Sequence, residues 1–494
     1  MKIPHISLPE RFPDISTIRA WFTRKRLIWT VVTVTLFMGI FFVFLYGKSH
    51  KTEIAAGTFA AFQKVSKLLP LEPDTKKEIE VVNALVQEFT KKDDRTRVFF
   101  ILLQNNFELR PGGGFLGQYA VVKIKNGELV SQFVEDANLL DQRIKNAGIK
   151  ITPPWPLTRY MQLKRWMLRD SNFSPDFPTN AQKAEYFYRL GGGREKFDGV
   201  IAVNADVFDH VLELTGPISI PGYPGTYSSE GGALKLEEAV EKAYLGDNVS
   251  AEAKEGRKTI MKKLAAEIAT RLATVGNIPK IATFLQEELR DKNVMIFFHD
   301  ANLQSLVESV HWDGSVATDW NDDFLMVVDA NMGALKSDYF VKRSLNYTVD
   351  FTAGPRPKAT VTYTYNHTAP YGDWRTSDYH TYTRIYAPKG STYIDQSRVK
   401  TGGIGSQDDA TFNKTVFGYK VDVIMRQTLE TGISYELPAT ITEDNYRLLI
   451  QKQSGIGTLP ATIHLKTSKG DFTTTYDLKK DLALEMKEIE ERKK

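Results

Sequence analysis

The sequence predicts an α/β domain (a mixed sheet with packed helices) followed by an all-β sandwich, both carried on a single N-terminal transmembrane helix. Three observations predict this. Residues 27–46 are twenty positions without a charge. From about residue 97 to 274, short apolar runs alternate with stretches of helical periodicity. Beyond about residue 338, short strand-like runs follow one another with turn residues and no convincing helix between them.

Composition narrows the function classes. Hydrophobic residues are 42% and charged ones 25%, ordinary for a globular protein, and 494 residues allow two or three domains. A net charge of +4 over this length gives no reason to expect nucleic acid as a partner. Cysteine is absent, which excludes disulfides, thiolate metal sites and cysteine nucleophiles. No Walker loop, nucleophile elbow or HExxH motif occurs, and none of the eight histidines pairs with another at metal-ligand spacing.

In order along the chain, residues 1–26 form a basic tail with Lys2, Arg11, Arg19, Arg24, Lys25 and Arg26. At a rise of about 1.5 Å per residue, residues 27–46 match the hydrocarbon core of a bilayer. The basic flank stays in the cytoplasm and the bulk lies outside the cell membrane, a single-pass arrangement. Residues 47–95 read as a helical stalk, with Ile54, Phe59, Phe62, Val65, Leu68 and Leu69 at helical spacing before Pro70. Residues 96–335 form the expected α/β domain. Its helices include 181–190, stopped by Gly191-Gly192-Gly193, and 205–215, closed by Gly216-Pro217. Residues 256–275 repeat Ile260, Leu264, Ile268 and Leu272 on one helical face. Residues 336–478 are the expected sandwich, and 479–494 a charged tail.

The candidate site begins at residues 104–118, QNNFELRPGGGFLGQ, between two apolar strand-like runs. Gly112, Gly113 and Gly114 allow positive φ and close backbone approach, and their amides could form an anion-binding nest. Arg110 beside them suits phosphate or carboxylate, and Asn105, Asn106 and Glu108 add polar groups. The other reading is a solvent-exposed hairpin loop. Arg169-Asp170 follows Trp166-Met167-Leu168, read as a strand, and opens a loop with Asn172 and Asp176. An arginine at a strand end lies on the sheet edge where α/β proteins bind ligands, although an Arg–Asp pair can equally hold a loop. Arg257 opens the periodic helix, where its charge opposes the helix dipole unless an anion is near. Arg110, Arg169 and Arg257 together would suit a diphosphate.

The blocks LLQNNFELRPGGGFLGQY, LRDSNFSPDFPT and FDGVIAVNADVFDHVLELTGPISIPG resemble the signature of a bacterial membrane-anchored family, the domain of unknown function 4012, over about residues 97–274. More distantly, the order of blocks is similar to the LytR-CpsA-Psr family. Those envelope enzymes transfer glycopolymers from polyprenyl diphosphate carriers to peptidoglycan in the cell wall. That similarity implies that Arg110, Arg169 and Arg257 bind a diphosphate and that Asp170 supports the site. It also implies a divalent ion such as magnesium, for which Glu108 and Asp170 are the available ligands. Where the distant family carries acidic residues in the first loop, this chain has Asn105, Asn106 and glycines, and neutral amides bind a hard cation less strongly. Two functions follow: a glycopolymer transferase, or a non-catalytic envelope protein that binds a lipid-linked glycan or a protein partner.

Overall fold

The computed structural model describes residues 73–223, 225–241, 278–395 and 404–491, together with positions 260, 263, 264, 267, 268, 270 and 271. The basic tail, the residue 27–46 segment, the first part of the expected stalk and Arg257 lie outside the described residues. Among the described residues, no helix is long and apolar enough to cross a membrane.

The first half is mixed α/β. Its five-stranded sheet has the order β3-β2-β1-β4-β7, with β1 at Thr96–Asn105, β2 at Phe115–Lys125, β3 at Glu128–Asp136, β4 at Gly199–Asn204 and β7 at Val294–Phe298. Only β1 and β4 run parallel; the other neighbours are antiparallel. Alternation along β1 explains the two covered faces. Phe99 faces a core with Ala120, Val122 and Phe298, while Phe100 and Leu102 face another with Tyr119, Val121 and Ala202.

Helix α1 (Pro73–Thr90) packs Ile79, Val82, Leu85, Val86 and Phe89 into the first of those cores. This part of the expected stalk is therefore built into the domain. The helix carries an apolar stripe that needs a sheet to cover it. Its Glu78 is buried, 2.5 Å from Arg290. Helices α2 (Ala137–Asn146) and α4 (Phe177–Leu190) cover the opposite face through Leu140, Ile144, Ala181, Ala184 and Phe187. Between them lies the short helix α3 (Trp155–Tyr160). A small satellite core gathers Leu212 of helix α5 (Val207–Thr215), Ile218 of β5 (Ile218–Ser219) and Tyr227 of β6 (Thr226–Tyr227). Ile260 and Leu264 of the periodic stretch close it, with Ile268 packed alongside.

The C-terminal half contains two six-stranded sheets. The first runs β12 (Thr392–Asp395), β15 (Thr428–Glu436), β10 (Lys358–His367), β9 (Val341–Asp350), β17 (Leu459–Thr467), β18 (Gly470–Leu478). The second runs β13 (Gly405–Asp409), β14 (Lys414–Val423), β11 (Tyr379–Pro388), β8 (Asp323–Asn331), β16 (Arg447–Ile450), β19 (Leu482–Glu485). They share one core, to which β9 (Val341–Asp350) and β10 (Lys358–His367) send Tyr347, Val361 and Tyr363. From the second sheet come Val327, Ile385, Phe417 and Tyr419. Strand β8, Asp323–Asn331, starts before the boundary expected at residue 336 and is buried throughout. The expected charged tail supplies β19 (Leu482–Glu485), which pairs with β16 (Arg447–Ile450), and a short helix, Met486–Glu491. Leu484, Met486 and Ile489 enter the core, which is why the segment is held despite its charges.

Candidate functional site

The loop between β1 and β2 does not face solvent. Every residue from Asn106 to Gly114 is buried, wedged between the α/β half and the C-terminal sheets. Leu109 belongs to the core shared by those two sheets. Its backbone N–H donates to Asp338 Oδ2 at 3.0 Å, and its carbonyl accepts from the Asn331 N–H at 2.9 Å. A loop of the first half thus completes the core of the second.

Arg110 is 0% exposed. Its Nη2 lies 2.9 Å from Glu108 Oε1 and 3.0 Å from Asp170 Oδ1. Its Nη1 donates to the carbonyls of Leu109 and Asn331 at 3.3 and 3.2 Å. Burial by itself lowers the guanidinium's pKa, but Glu108 and Asp170 outweigh it and the net direction is up. Burial pushes the Glu108 carboxyl up, against the pull of Arg110. One cation between two carboxylates offers nothing to a diphosphate. Arg110, expected as a ligand-facing group, thus has both Nη atoms turned to internal partners.

Arg169 goes elsewhere. Its Nε binds Asp141 Oδ2 of α2 at 2.8 Å, and Asp141 Oδ1 accepts the Leu168 N–H at 3.0 Å. Trp166-Met167-Leu168, expected as a strand, is not one: Trp166 and Met167 are irregular and lead into a 3₁₀ turn, Leu168–Asp170. At about three residues per turn, successive side chains diverge, so Arg169 and Asp170 serve different partners. Asp170 neutralises Arg110 and Arg169 ties the turn to α2. The two described arginines do not converge.

The other expected ligand groups also have internal partners. Asn105 Oδ1 accepts the Phe107 N–H at 3.0 Å, turning the chain locally. Asn106 Nδ2 donates to Asp206 Oδ2 at 3.0 Å and to the Gly455 carbonyl at 3.2 Å. Asn172 Nδ2 donates to the Gly114 carbonyl at 2.9 Å. Asp176 caps α4 through the Thr179 N–H at 2.9 Å and receives the Val316 N–H at 3.1 Å. The Gly112 and Gly113 amides donate to the carbonyls of Asn172 and Arg110, so these two are not aimed at an outside anion.

Close packing explains the glycines. A Cβ at Gly113, where φ is +126°, would sit 2.1 Å from Gln104 Oε1 and 2.8 Å from Ser454 Oγ. At Gly112 it would meet Asn172 Oδ1 at 2.1 Å. The loop's third wall is the segment 451–455, which sequence reasoning missed. Gln453 Nε2 donates to the carbonyls of Arg110 and Asp329 at 3.1 and 2.8 Å. In the sequence this segment is an ordinary polar run between apolar strands, and nothing local distinguishes it.

A second buried polar cluster adjoins the loop. His210 Nδ1 lies 2.7 Å from Glu288 Oε1, and that hydrogen bond lifts the imidazole to about 9. Asp206, beside Asn106, is pushed up by burial. Lys452 donates to the carbonyls of Asp291 and Gln453 at 3.2 and 3.4 Å. Burial, reinforced by Lys292, lowers its ammonium to about 8. Lys292 itself pairs with Asp481 at 2.7 Å.

Glu108 and Asp170 do not fit a magnesium site, because the Arg110 guanidinium already lies between them and repels a second cation. Among the described residues, no group of three or more His, Asp or Glu side chains is placed to hold a metal ion.

The three signature blocks meet around this loop. Residues 102–119 form it, the Asn172 carbonyl accepts the Gly112 N–H, and Asp206 receives Asn106. Residues 94–240 match the family model described as "Protein of unknown function (DUF4012)". This segment belongs to that family. The DUF4012 match covers less than a third of the chain and ends before the C-terminal sheets against which its loop packs. No curated protein matches the chain. Among solved structures, the X-ray structure of the Lin1025 protein from Listeria innocua is 10% identical. It covers 44% of this chain and 80% of that one at a TM-score of 0.23, a likeness too small to inform fold or function.

Proposed function

We propose that this chain is a membrane-anchored, extracytoplasmic protein of the bacterial cell envelope that acts by binding, as a scaffold, rather than by transferring glycopolymer from a polyprenyl diphosphate carrier. The observation that carries the reading is the burial of Arg110 between Glu108 and Asp170. A transferase of the LytR-CpsA-Psr kind needs free positive charge to stabilise a departing prenyl phosphate. Here the described arginines of the expected cluster are committed to internal carboxylates. The uncharged run at 27–46 and its basic flank support the membrane placement. The partners consistent with it are a lipid-linked glycan, peptidoglycan or an envelope protein.

Two measurements test this. Full-length protein incubated with a polyprenyl-diphosphate-linked disaccharide and magnesium is expected to release no polyprenyl phosphate above a protein-free control. Metal-stimulated release that disappears in Arg169→Ala would overturn the binding reading. Because the chain lacks cysteine, Lys389→Cys in the exposed turn after β11 (Tyr379–Pro388) places one thiol on the C-terminal half. A membrane-impermeant maleimide is expected to label it on intact cells. Labelling only after lysis would refute the extracytoplasmic placement.

A further inference from the structure

An aromatic surface lies where the proline-rich segment 152–157 crosses the outer face of the second C-terminal sheet. Trp155 is 56% exposed, and its amphipathic ring suits a surface where one side is apolar and the other wet. Pro153, Pro154 and Pro156 restrict the backbone around it, and Pro156 and Leu157 are buried, so the ring is held by a stiff, anchored segment. Its centroid is 5.1 Å from that of Tyr382 and 6.0 Å from that of Tyr160. Tyr160 and Tyr382 are 5.8 Å apart. The Tyr382 hydroxyl packs over Gly418, the ladder partner of Arg384 two residues along the strand: a Cβ on Gly418 would come within 2.1 Å of it.

A polar rim stands beside the rings. Tyr382 of β11 is in register with Lys420 of β14 (Lys414–Val423), and His380 with Asp422. Lys420 Nζ is 5.8 Å from the Tyr160 ring centre and 2.8 Å from Asp422 Oδ1. Asp422 Oδ1 is also 2.5 Å from His380 Nδ1. All three rim side chains are half-buried, so each is both held in place and reachable from solvent.

We propose that Trp155 and Tyr160, with Lys420, Asp422 and His380, form a binding subsite for a pyranose-containing glycan. This rests on the binding reading above and gives it a site and a ligand class. A pyranose presents an apolar C–H face and a rim of hydroxyls. The face stacks on an exposed ring, and adjacent hydroxyls can donate to a carboxylate while accepting from an ammonium. A proline-rich peptide is the other ligand that exposed Trp and Tyr rings take. It fits less well, because proline has no N–H to donate to Asp422.

The test uses full-length protein in a detergent without a sugar headgroup. Chitotetraose, maltotetraose and a decaproline peptide are titrated while tryptophan fluorescence is followed. At least one tetrasaccharide is expected to shift the emission saturably. Trp155→Ala should weaken that binding by about tenfold or more, and Lys420→Met by several-fold. Trp155 and Tyr160 sit at the surface, so Trp155→Ala and Tyr160→Leu should melt as the parent does, and Tyr160→Leu should also weaken binding. No tetrasaccharide response up to about 10 mM, a response to decaproline alone, or binding unchanged in Trp155→Ala would each overturn the proposal. None of those results would restore a transferase, which the prenyl phosphate assay judges separately.

Discussion

Arg110 and Asp170 are 60 positions apart in the chain, yet the guanidinium and carboxylate lie 3.0 Å apart in the interior. The pair joins the first and second signature blocks beneath the C-terminal sheets. Its consequences are structural, and they can be measured.

Replacing Arg110 with Met should leave the buried Glu108 and the half-buried Asp170 as neighbouring carboxylates and strip the Asn331 carbonyl of a donor. A loss of about 3–5 kcal/mol is expected, read from denaturant unfolding. Adding Glu108→Gln should restore part of it. An unchanged unfolding midpoint in Arg110→Met would mean that the arginine serves a ligand after all.

Gly113→Ala combines positive φ with a Cβ only 2.1 Å from Gln104 Oε1. It should cost about 1–3 kcal/mol or more. Gly117, two residues into β2, has nothing within 4 Å of a built Cβ, so Gly117→Ala should be nearly neutral. Comparing their melting temperatures separates tight packing from a general intolerance of substitution in this region.

Leu109→Ala removes a fully buried side chain from the core between the C-terminal sheets. The expected loss is about 2–5 kcal/mol. Hydrogen exchange should rise in β8 and β9 as well as in the loop itself. Exchange confined to the loop would show that Leu109 does not support the sheets.

His210 supplies a pH signature. Its folded value, about 9, is raised above the ordinary 6.5 by Glu288. The imidazolium's contribution to stability is therefore fully present below pH 6.5 and is lost as pH rises through 9. Asp206 and Asp209 face the same imidazole and act in the same direction. Lys452, lowered to about 8, runs the opposite way above that pH. The difference between parent and His210→Gln isolates the histidine. The parent's thermal advantage should shrink steadily from pH 6 to pH 9.5. A constant difference would rule out the His210–Glu288 ion pair as its source.

Much of the chain was legible without coordinates. The strand–loop–strand around residues 104–118, the glycine-ended helices and the run of C-terminal strands all follow from period and punctuation, which are local properties. The errors have a common physical origin. Helix α1 reads as a spacer because its apolar stripe does not say what it covers. The segment 479–494 reads as a charged tail because a few apolar residues among many charges are a weak signal. Yet Leu484, Met486 and Ile489 complete a core.

The site shows the same division. Local residue types single out Arg110, the three glycines, Asn106 and Asn172, and leave two readings, a ligand-facing nest or a solvent-exposed hairpin loop. The fold instead encloses the loop. Partners such as Asp170, Asn331, Asp338 and Gln453 come from three separate stretches, and no periodicity announces their meeting. The charge on Arg110 becomes structural once the C-terminal sheets close over it, because removal from water makes two nearby carboxylates necessary.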